Sequence, residues 1–538
     1  MRKLFTLVFA ISLFSYPSLA QDAGMNITGS AKLTLETGTY LIMEGDLKIS
    51  VADGLIIPPS TYVTVGGDMS LDARKAITVE TSITSGTPRG SLIFKGDTVY
   101  RSNKGSIEVQ SYITGSAGTN YFMHFVGAPV EDTTTGWTKK VRLQQFDMTH
   151  LDTYAFEWDP TVDTTTGQPW INVYPYWYPV PAADGLTLSN YVAGTDTIVM
   201  EGYPIAGTVN YTVHYNTNNH LELISNPFPS AMDFSSFATY NSTYIQNKYW
   251  IYSATNGNYY PNSLGTGGSQ YIQYGQGFFV ETKTSGTISF RDADKVHNNV
   301  AFRETNPNEL TMRVSGGSIG FKDALYIRFL EEGASSGIDD FDAKKWNSVS
   351  EGATMIRSIA EDGSELAINM LPIEDLYTNT TVPVYFECGE DAEYTFTFEG
   401  TESFEDDTEI WLEDLQAGTD WILLSDNDFS YTFTASPGAE RHRFNIHFFG
   451  PTSVTDPFTD EDGRILIYSA GNDAYVINNS KETIKNISVY DMLGHHVLSQ
   501  EVPEQVTHKF RIPGQTGYYV VRVLTDKQVH TGKVLIYK

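Results

Sequence analysis

The chain reads as all-β, and three observations predict it. Tyr (33), Phe (29) and plentiful Gly (45) and Thr crowd the sequence and favour strands over helices. Short runs alternate apolar and polar residues with period two, as a half-buried strand requires. Gly, Pro and Asn punctuate those runs at short intervals, where turns are needed. A length of 538 residues suggests three or four domains. The single cysteine, Cys388, excludes an intrachain disulfide framework, so packed cores must supply the stability. In its alternating strand context Cys388 reads as a buried small hydrophobe rather than a nucleophile.

Residues 1–20 read as a signal peptide. Met1, Arg2 and Lys3 give the positive start, Leu4–Phe14 an apolar run too short to span a bilayer, and Ser18-Leu-Ala20 a small-residue cleavage site. The mature chain is expected to start at Gln21. The cleavage site has no neighbouring cysteine, which argues against a lipid anchor. No later segment approaches twenty apolar residues, so no transmembrane helix is expected.

Residues 21–118 carry a weak repeat. Gly45-Asp-Leu-Lys-Ile, Gly67-Asp-Met-Ser-Leu and Gly90-Ser-Leu-Ile-Phe recur at spacings of 22 and 23 residues. One or two strands per twenty-odd residues is the pattern of a β-solenoid, in which each coil buries its apolar side against its neighbours. An ordinary sandwich with evenly spaced turns is the competing reading.

Residues 119–300 form an aromatic-rich β domain. Tyr121–Val130 and His220–Ser230 echo each other, each a strand running into a proline turn. Trp158, Trp170, Tyr176 and Trp177 crowd in and near a proline-rich loop, Gln168–Pro179. Rigid planar rings with polar tips suit stacking on sugars or on a protein partner. The plainer reading is that they plug a core and pin the loop.

Residues 301–450 read as a second β-sandwich, with clean alternation over Asp323–Leu330, Tyr394–Phe398 and Arg443–Phe449. Residues 451–464 are polar and proline-punctuated, as a linker is. Gly333-Ala-Ser335-Ser-Gly337 matches the G-x-S-x-G spelling of a nucleophile elbow, but the following Ile338-Asp-Asp-Phe-Asp does not suit the helix that motif needs. Asp339, Asp340 and Asp342 are weak candidate metal ligands. Calcium is the ion they would take, though the loop lacks the full ligand spacing and its glycine. His442, His447, His495 and His496 show no carboxylate at ligand spacing. No catalytic residues and no cofactor are assigned, and the reading leans away from an enzyme.

Residues 465–538 stand apart. Ile487, Val489 and Tyr490 lead to a turn at Asp491–Gly494 and on to Val497; Gly517, Tyr518 and Val520 open a second hairpin that turns near Thr525–Gln528. In the order I-x-V-Y-D-x-x-G-x-x-V, then G-Y-Y-V-V-R-V, then a basic β-rich end, this stretch resembles the C-terminal sorting domain of the type IX (Por) secretion system of Bacteroidetes. The resemblance implies an immunoglobulin-like fold, recognition by the secretion machinery and its sortase, and removal of the domain at the linker. It also implies release of the body or its attachment at the outer-membrane surface. The series S-N-P-F-P-S (225–230), G-Q-G-F-F-V (275–280) and G-x-I-x-F-R (286–291) looks like a module common in large surface proteins with that sorting domain, which brings no defined activity.

Charge agrees with this division. Of a net −30, the leader contributes +2 and residues 465–538 another +2, which leaves −34 on the stretch between. Such a body repels nucleic acid. The expected function is therefore a secreted or cell-surface structural or adhesive protein, with a glycan or a surface protein as partner. The alternative is a secreted polysaccharide hydrolase whose carboxylates the sequence does not single out.

Overall fold

The computed structural model describes residues 24–82, 89–101, 105–115, 123–131, 143–144, 153–163, 169–173, 181–190, 194–254, 256–297, 306–318, 320–350, 352–378, 380–405, 408–418, 421–424, 429–449, 465–470, 473–478, 482–491, 494–500, 507–513 and 517–536. The expected signal peptide (residues 1–20), the expected linker (451–464) and the candidate residues Tyr176 and Trp177 lie outside them. Among the described residues strands dominate, and the α-helices are the short Phe234–Tyr240 and Ile373–Leu376.

From Met25 to Val109 the chain turns repeatedly through three parallel sheets. The first holds Met25–Ile27, Leu47–Ile49, Met69–Leu71 and Val99–Arg101; the second Leu33–Thr34, Leu55–Ile57, Ile77–Val79 and the start of Ile107–Gly115; the third Tyr40–Met43, Tyr62–Val65 and Ser91–Phe94. Met25 pairs with Leu47 and Leu47 with Met69, so the chain returns to the same sheet after one circuit. Alternation sends one set of side chains inward. Leu47, Ile49, Leu55, Ile57, Val63, Val65, Met69, Leu71, Ile77 and Val79 are all fully buried. Asp53, Ser60 and Lys75 turn the corners in left-handed backbone.

The copy expected at Gly90 sits elsewhere. Ser91–Phe94 stacks on Tyr62–Val65 in the third sheet, and the strand over Met69 is the one that begins at Val99. The Gly90 amide donates to the Glu80 carbonyl at 2.9 Å, so the extra residues of this circuit fall between two points that stay joined. A longer loop at a corner costs little once the ladder on both sides is intact.

Strand Ile107–Gly115 joins this region to the next. It pairs in parallel with Ile77–Val79 on one side and antiparallel with Gly194–Gly202 on the other. One apolar core accordingly runs from Ile27 through Val109 to Met200 and Tyr274. The following module has a five-stranded antiparallel sheet in the order Leu221–Ser225, Gly277–Thr282, Ile245–Ser253, Asn258–Ser263, Thr266–Gly267. The helix Phe234–Tyr240 starts at Asp233, whose carboxylate caps the Ser236 amide.

Residues 309–449 form one sheet that closes around its own core. Its strand order is Ile422–Leu423, Glu409–Asp414, His442–Phe449, Thr380–Glu387, Met355–Ile359, Glu365–Pro372, Lys322–Leu330, Glu309–Gly316, Ala392–Glu399, Ser430–Ala435. Only the pairing of Lys322–Leu330 with Glu365–Pro372 is parallel among these described strands. Phe396 and Phe444, from distant strands of that order, meet at 4.8 Å between ring centroids, so the sheet folds back on itself as a sandwich.

The C-terminal unit is a smaller antiparallel sandwich. Ile465–Ala470, Asp473–Asn478 and Thr507–Arg511 make one sheet; His496–Gln500, Ile484–Asp491, Gly517–Thr525 and Val529–Ile536 the other. Both expected turns are present. Gly494 adopts φ 86° with its amide bonded to the Asp491 carbonyl, and the Thr525 amide bonds the Gln528 carbonyl. Val489, Val521 and Val523 are fully buried in its core, while Tyr518 is half exposed.

Candidate functional site

The aromatic candidates that fall among the described residues are packed. Trp158 and Trp170 lie opposite each other on paired strands, edge to face at 4.9 Å. Both also meet Phe279 edge to face, at 5.0 and 5.9 Å. The Trp158 indole donates to the Leu221 carbonyl at 2.9 Å, which satisfies its polar end. Two tryptophans that the sequence did not single out extend the cluster. Trp250 stacks flat on Trp346 at 4.6 Å and 8°, and Trp346 meets Phe279 at 5.5 Å. This aromatic seam holds the central module against the sandwich through Phe125, Tyr252, Tyr326 and Met370.

The sequence motifs of the central module also resolve into structural roles. In S-N-P-F-P-S the buried Asn226 donates to the Ser230 and Ile272 carbonyls and accepts from the Phe228 amide. In G-Q-G the Gln276 side chain donates to the Phe125 carbonyl at 3.1 Å. Gly277 is required there, since a Cβ would stand 2.9 Å from the Val126 nitrogen. Arg291, which ends the series, holds the buried Asp294 through two guanidinium nitrogens.

The three aspartates of the 339–342 loop point to separate tasks. Asp339 accepts from the Ser335 and Phe341 amides, and Asp340 from the Gln246 side chain. Asp342 is buried and accepts from the Met370 and Asp339 amides; burial pushes its carboxyl up to about 7. Among the described residues no group of three or more metal-ligating side chains forms. Ser335 lies in a loop, and its hydroxyl donates to the Gly337 carbonyl rather than to a base. Cys388 is half-buried beside the sandwich core, and burial raises its thiol pKa. It lines a cavity of about 440 Å³ at one end of the sandwich, with Phe386, Glu387, Arg441 and Arg443.

Two polar constellations arise that sequence spacing did not show. In the central module the Tyr211 hydroxyl lies 3.3 Å from Asp184 and 3.1 Å from Glu222. Glu222 is almost fully buried, and burial pushes its carboxyl up to about 7. A phenol has one proton to give, so both contacts form together when Glu222 carries a proton of its own.

The second constellation corrects the reading of the histidines. His447 Nε2 lies 3.0 Å from Glu413 and Nδ1 2.9 Å from the Thr381 hydroxyl. Glu413 can only accept, which places the ring proton on Nε2 and lets Nδ1 accept from Thr381. Burial lowers the His447 pKa, so the ring is neutral at pH 7. The register explains the meeting: His447 pairs across to Thr381 on one side and Trp411 on the other, and Asn445 pairs with Glu413. Phe444, Ile446 and Phe448 face inward, so Asn445, His447 and Phe449 face out. Trp421 lies flat on the imidazole at 3.6 Å and 9°, closing that face. His442 bonds Asn445, whereas the exposed His495 bonds Asp491 and His496 packs edge-on against Tyr490.

Comparison with known proteins adds a family for each part. Residues 471–537 match the secretion system C-terminal sorting domain, which marks the chain as cargo of the type IX system, destined for secretion or the cell surface. Among the described residues no helix is long and apolar enough to cross a membrane. No curated protein matches the chain. Among solved structures, the central fibronectin-III array of RIM-binding protein is 10% identical, covering 63% of this chain and 99% of its own, with a TM-score of 0.11. Residues 30–448, the coils and both following modules together, match a single family model, and the chain belongs to the family described as a domain of unknown function, DUF8693.

Proposed function

We propose that this type IX cargo acts outside the cell as a non-catalytic structural or adhesive protein. In this reading the coiled region, β-solenoid-like, serves as a spacer, and the aromatic-rich module meets a glycan or a surface protein. The observation that carries it is the continuous core from Ile27 to Tyr274. Coils that share a core with the module behind them transmit position and load rather than hinge. The −34 body keeps such a rod hydrated and apart from anionic polymers.

The test is adhesion of cells bearing the full chain to glycan- and protein-coated surfaces, beside cells bearing the Trp177→Ala chain. Loss of adhesion in the variant is expected; equal adhesion by both sinks the aromatic contact. The hydrolase reading is favoured by one observation, the two carboxyls gathered at the Tyr211 hydroxyl. Sugar release from a polysaccharide panel that disappears in Asp184→Asn would establish that reading instead.

A further inference from the structure

The sorting domain is seated on an aromatic platform of the body. Trp421 has the His447 ring against one face. Toward its remaining surface come two rings of the sorting domain, Tyr468 at 4.9 Å and Tyr475 at 5.6 Å, tilted by 45° and 41°. Those tyrosines stack on each other at 4.9 Å and 4°, and Phe449 meets Tyr468 edge-on at 4.8 Å. Trp411, Phe449, Tyr468, Tyr475 and Ile477 share one buried cluster, separate from the sandwich core and from the core of the sorting domain. Each unit thus has a core of its own, and this cluster belongs to the contact between them.

Two features suit a contact made to be broken. The Tyr468 hydroxyl is buried without a hydrogen-bond partner, which weakens the docked state relative to the parted one, where water would satisfy it. The strand that carries His447 and Phe449 ends at the linker, so cutting there frees the cap without cutting either sheet.

We propose that Trp421 is a stacking site for a neutral pyranose ring, which the sorting domain covers with its own tyrosines until that domain is removed. The inference rests on the sorting domain leaving the body after export. A flat indole backed by a neutral imidazole offers the face on which a sugar ring packs. Around it stand acceptors for sugar hydroxyls. Glu413 holds the edge of the platform by accepting from His447 and Asn445, and Glu409, on the same face of that strand and opposite Phe449, accepts from the Trp411 indole at 3.3 Å. Two carboxylates at the rim, on a strongly acidic body, select a neutral sugar and reject a uronate.

The test uses the full chain with one sequence-specific protease site placed in residues 451–464. Cello-, manno- and xylohexaose are titrated by calorimetry and tryptophan fluorescence, with hexagalacturonate as a separate arm. The cut protein should bind at least one neutral hexasaccharide at least tenfold more tightly than the uncut chain, and hexagalacturonate not at all. Trp421→Ala and Trp421→Leu, the latter keeping apolar bulk without the flat face, should each abolish binding in the cut protein. Tyr468→Ala/Tyr475→Ala should bind without cutting. Equal binding before and after cutting, no binding by the cut protein, full binding by the Trp421→Leu protein, or preference for the uronate overturns the proposal. So does co-elution of the two pieces after cutting. None of these results bears on the coils or on the Trp177 contact, so failure here is distinct from failure of the reading above.

Discussion

Inside the parallel coils the core is largely aliphatic: Leu47 stacks on Met69, Leu55 on Ile77 and Val63 on Leu92, coil upon coil, and the buried Glu108 sits on the strand that leaves them. Inside the sandwich of residues 309–449, charge is buried as well. Lys345 and Asp323 pair at 1% and 0% side-chain exposure, and Asp323 also accepts from the Ile356 amide. Arg357, almost fully buried, holds both Glu365 and Glu387, which Arg441 holds in turn. A coil fixes its register by repetition, since each strand meets a near-copy of itself one circuit on. It therefore tolerates the extra residues between Glu80 and Gly90. A sandwich assembled from strands far apart in sequence has no such repeat, and unique charge pairs can penalise a slipped strand.

That contrast breaks first at the charges. Lys345→Met leaves Asp323 buried without its partner and should cost about 3–5 kcal/mol in denaturant unfolding of the sandwich. Lys345→Met with Asp323→Leu should recover much of that loss. A double variant no more stable than the single one would show that the Asp323–Ile356 hydrogen bond, and not the ion pair, is what matters. Next comes Leu55→Ala in the coils, expected to cost about 2–4 kcal/mol by leaving a cavity. Hydrogen exchange should show the loss in neighbouring coils and not in residues 309–449. Uniform loss across the chain would mean that the two regions unfold as one.

A third prediction concerns the face of the coils that meets the central module. His297 bridges the Thr64 and Ser91 hydroxyls, and burial, with Lys95 nearby, lowers its pKa from 6.5 to about 4. The unfolded chain binds the proton between those values and the folded chain does not. Its contribution is therefore full above pH 6.5 and is lost as pH falls to about 4, by about 3 kcal/mol. Stability measured against His297→Gln should narrow across that window; a constant difference would place the ring in water. The smallest effect is expected at Lys32→Ala on the coil surface, whose pair with Asp53 is exposed on both sides. That change should stay within ~0.5 kcal/mol in the same unfolding measurement.

Much of this was legible in the sequence because strands write themselves locally. Period-two alternation located Asp323–Leu330 and Arg443–Phe449, and Gly494 marked its turn. The spacing of 22 residues between Gly45 and Gly67 matches the parallel pairing of Leu47 with Met69, and it misleads at Gly90, where extra residues lengthen the circuit. The aromatic candidates were legible as residues, with packing as the plainer of two roles, but their partners were not. Trp158 and Trp170 became packing once Phe279, more than a hundred residues later, was set between them and Trp346.

By itself, then, the sequence determined the all-β class, the place of the C-terminal sorting domain and the acidity of the body, since these depend on composition, alternation and contiguous motifs. Only the tertiary structure decided that His447 meets Glu413 and Thr381, that Asp184 and Glu222 share Tyr211, and that Tyr468 covers Trp421. Each of those meetings joins residues from separate strands or from the turns that flank them. Sheet register sets which side chains face one another, and register is fixed by the packing of the whole sheet, which no short stretch of sequence spells out.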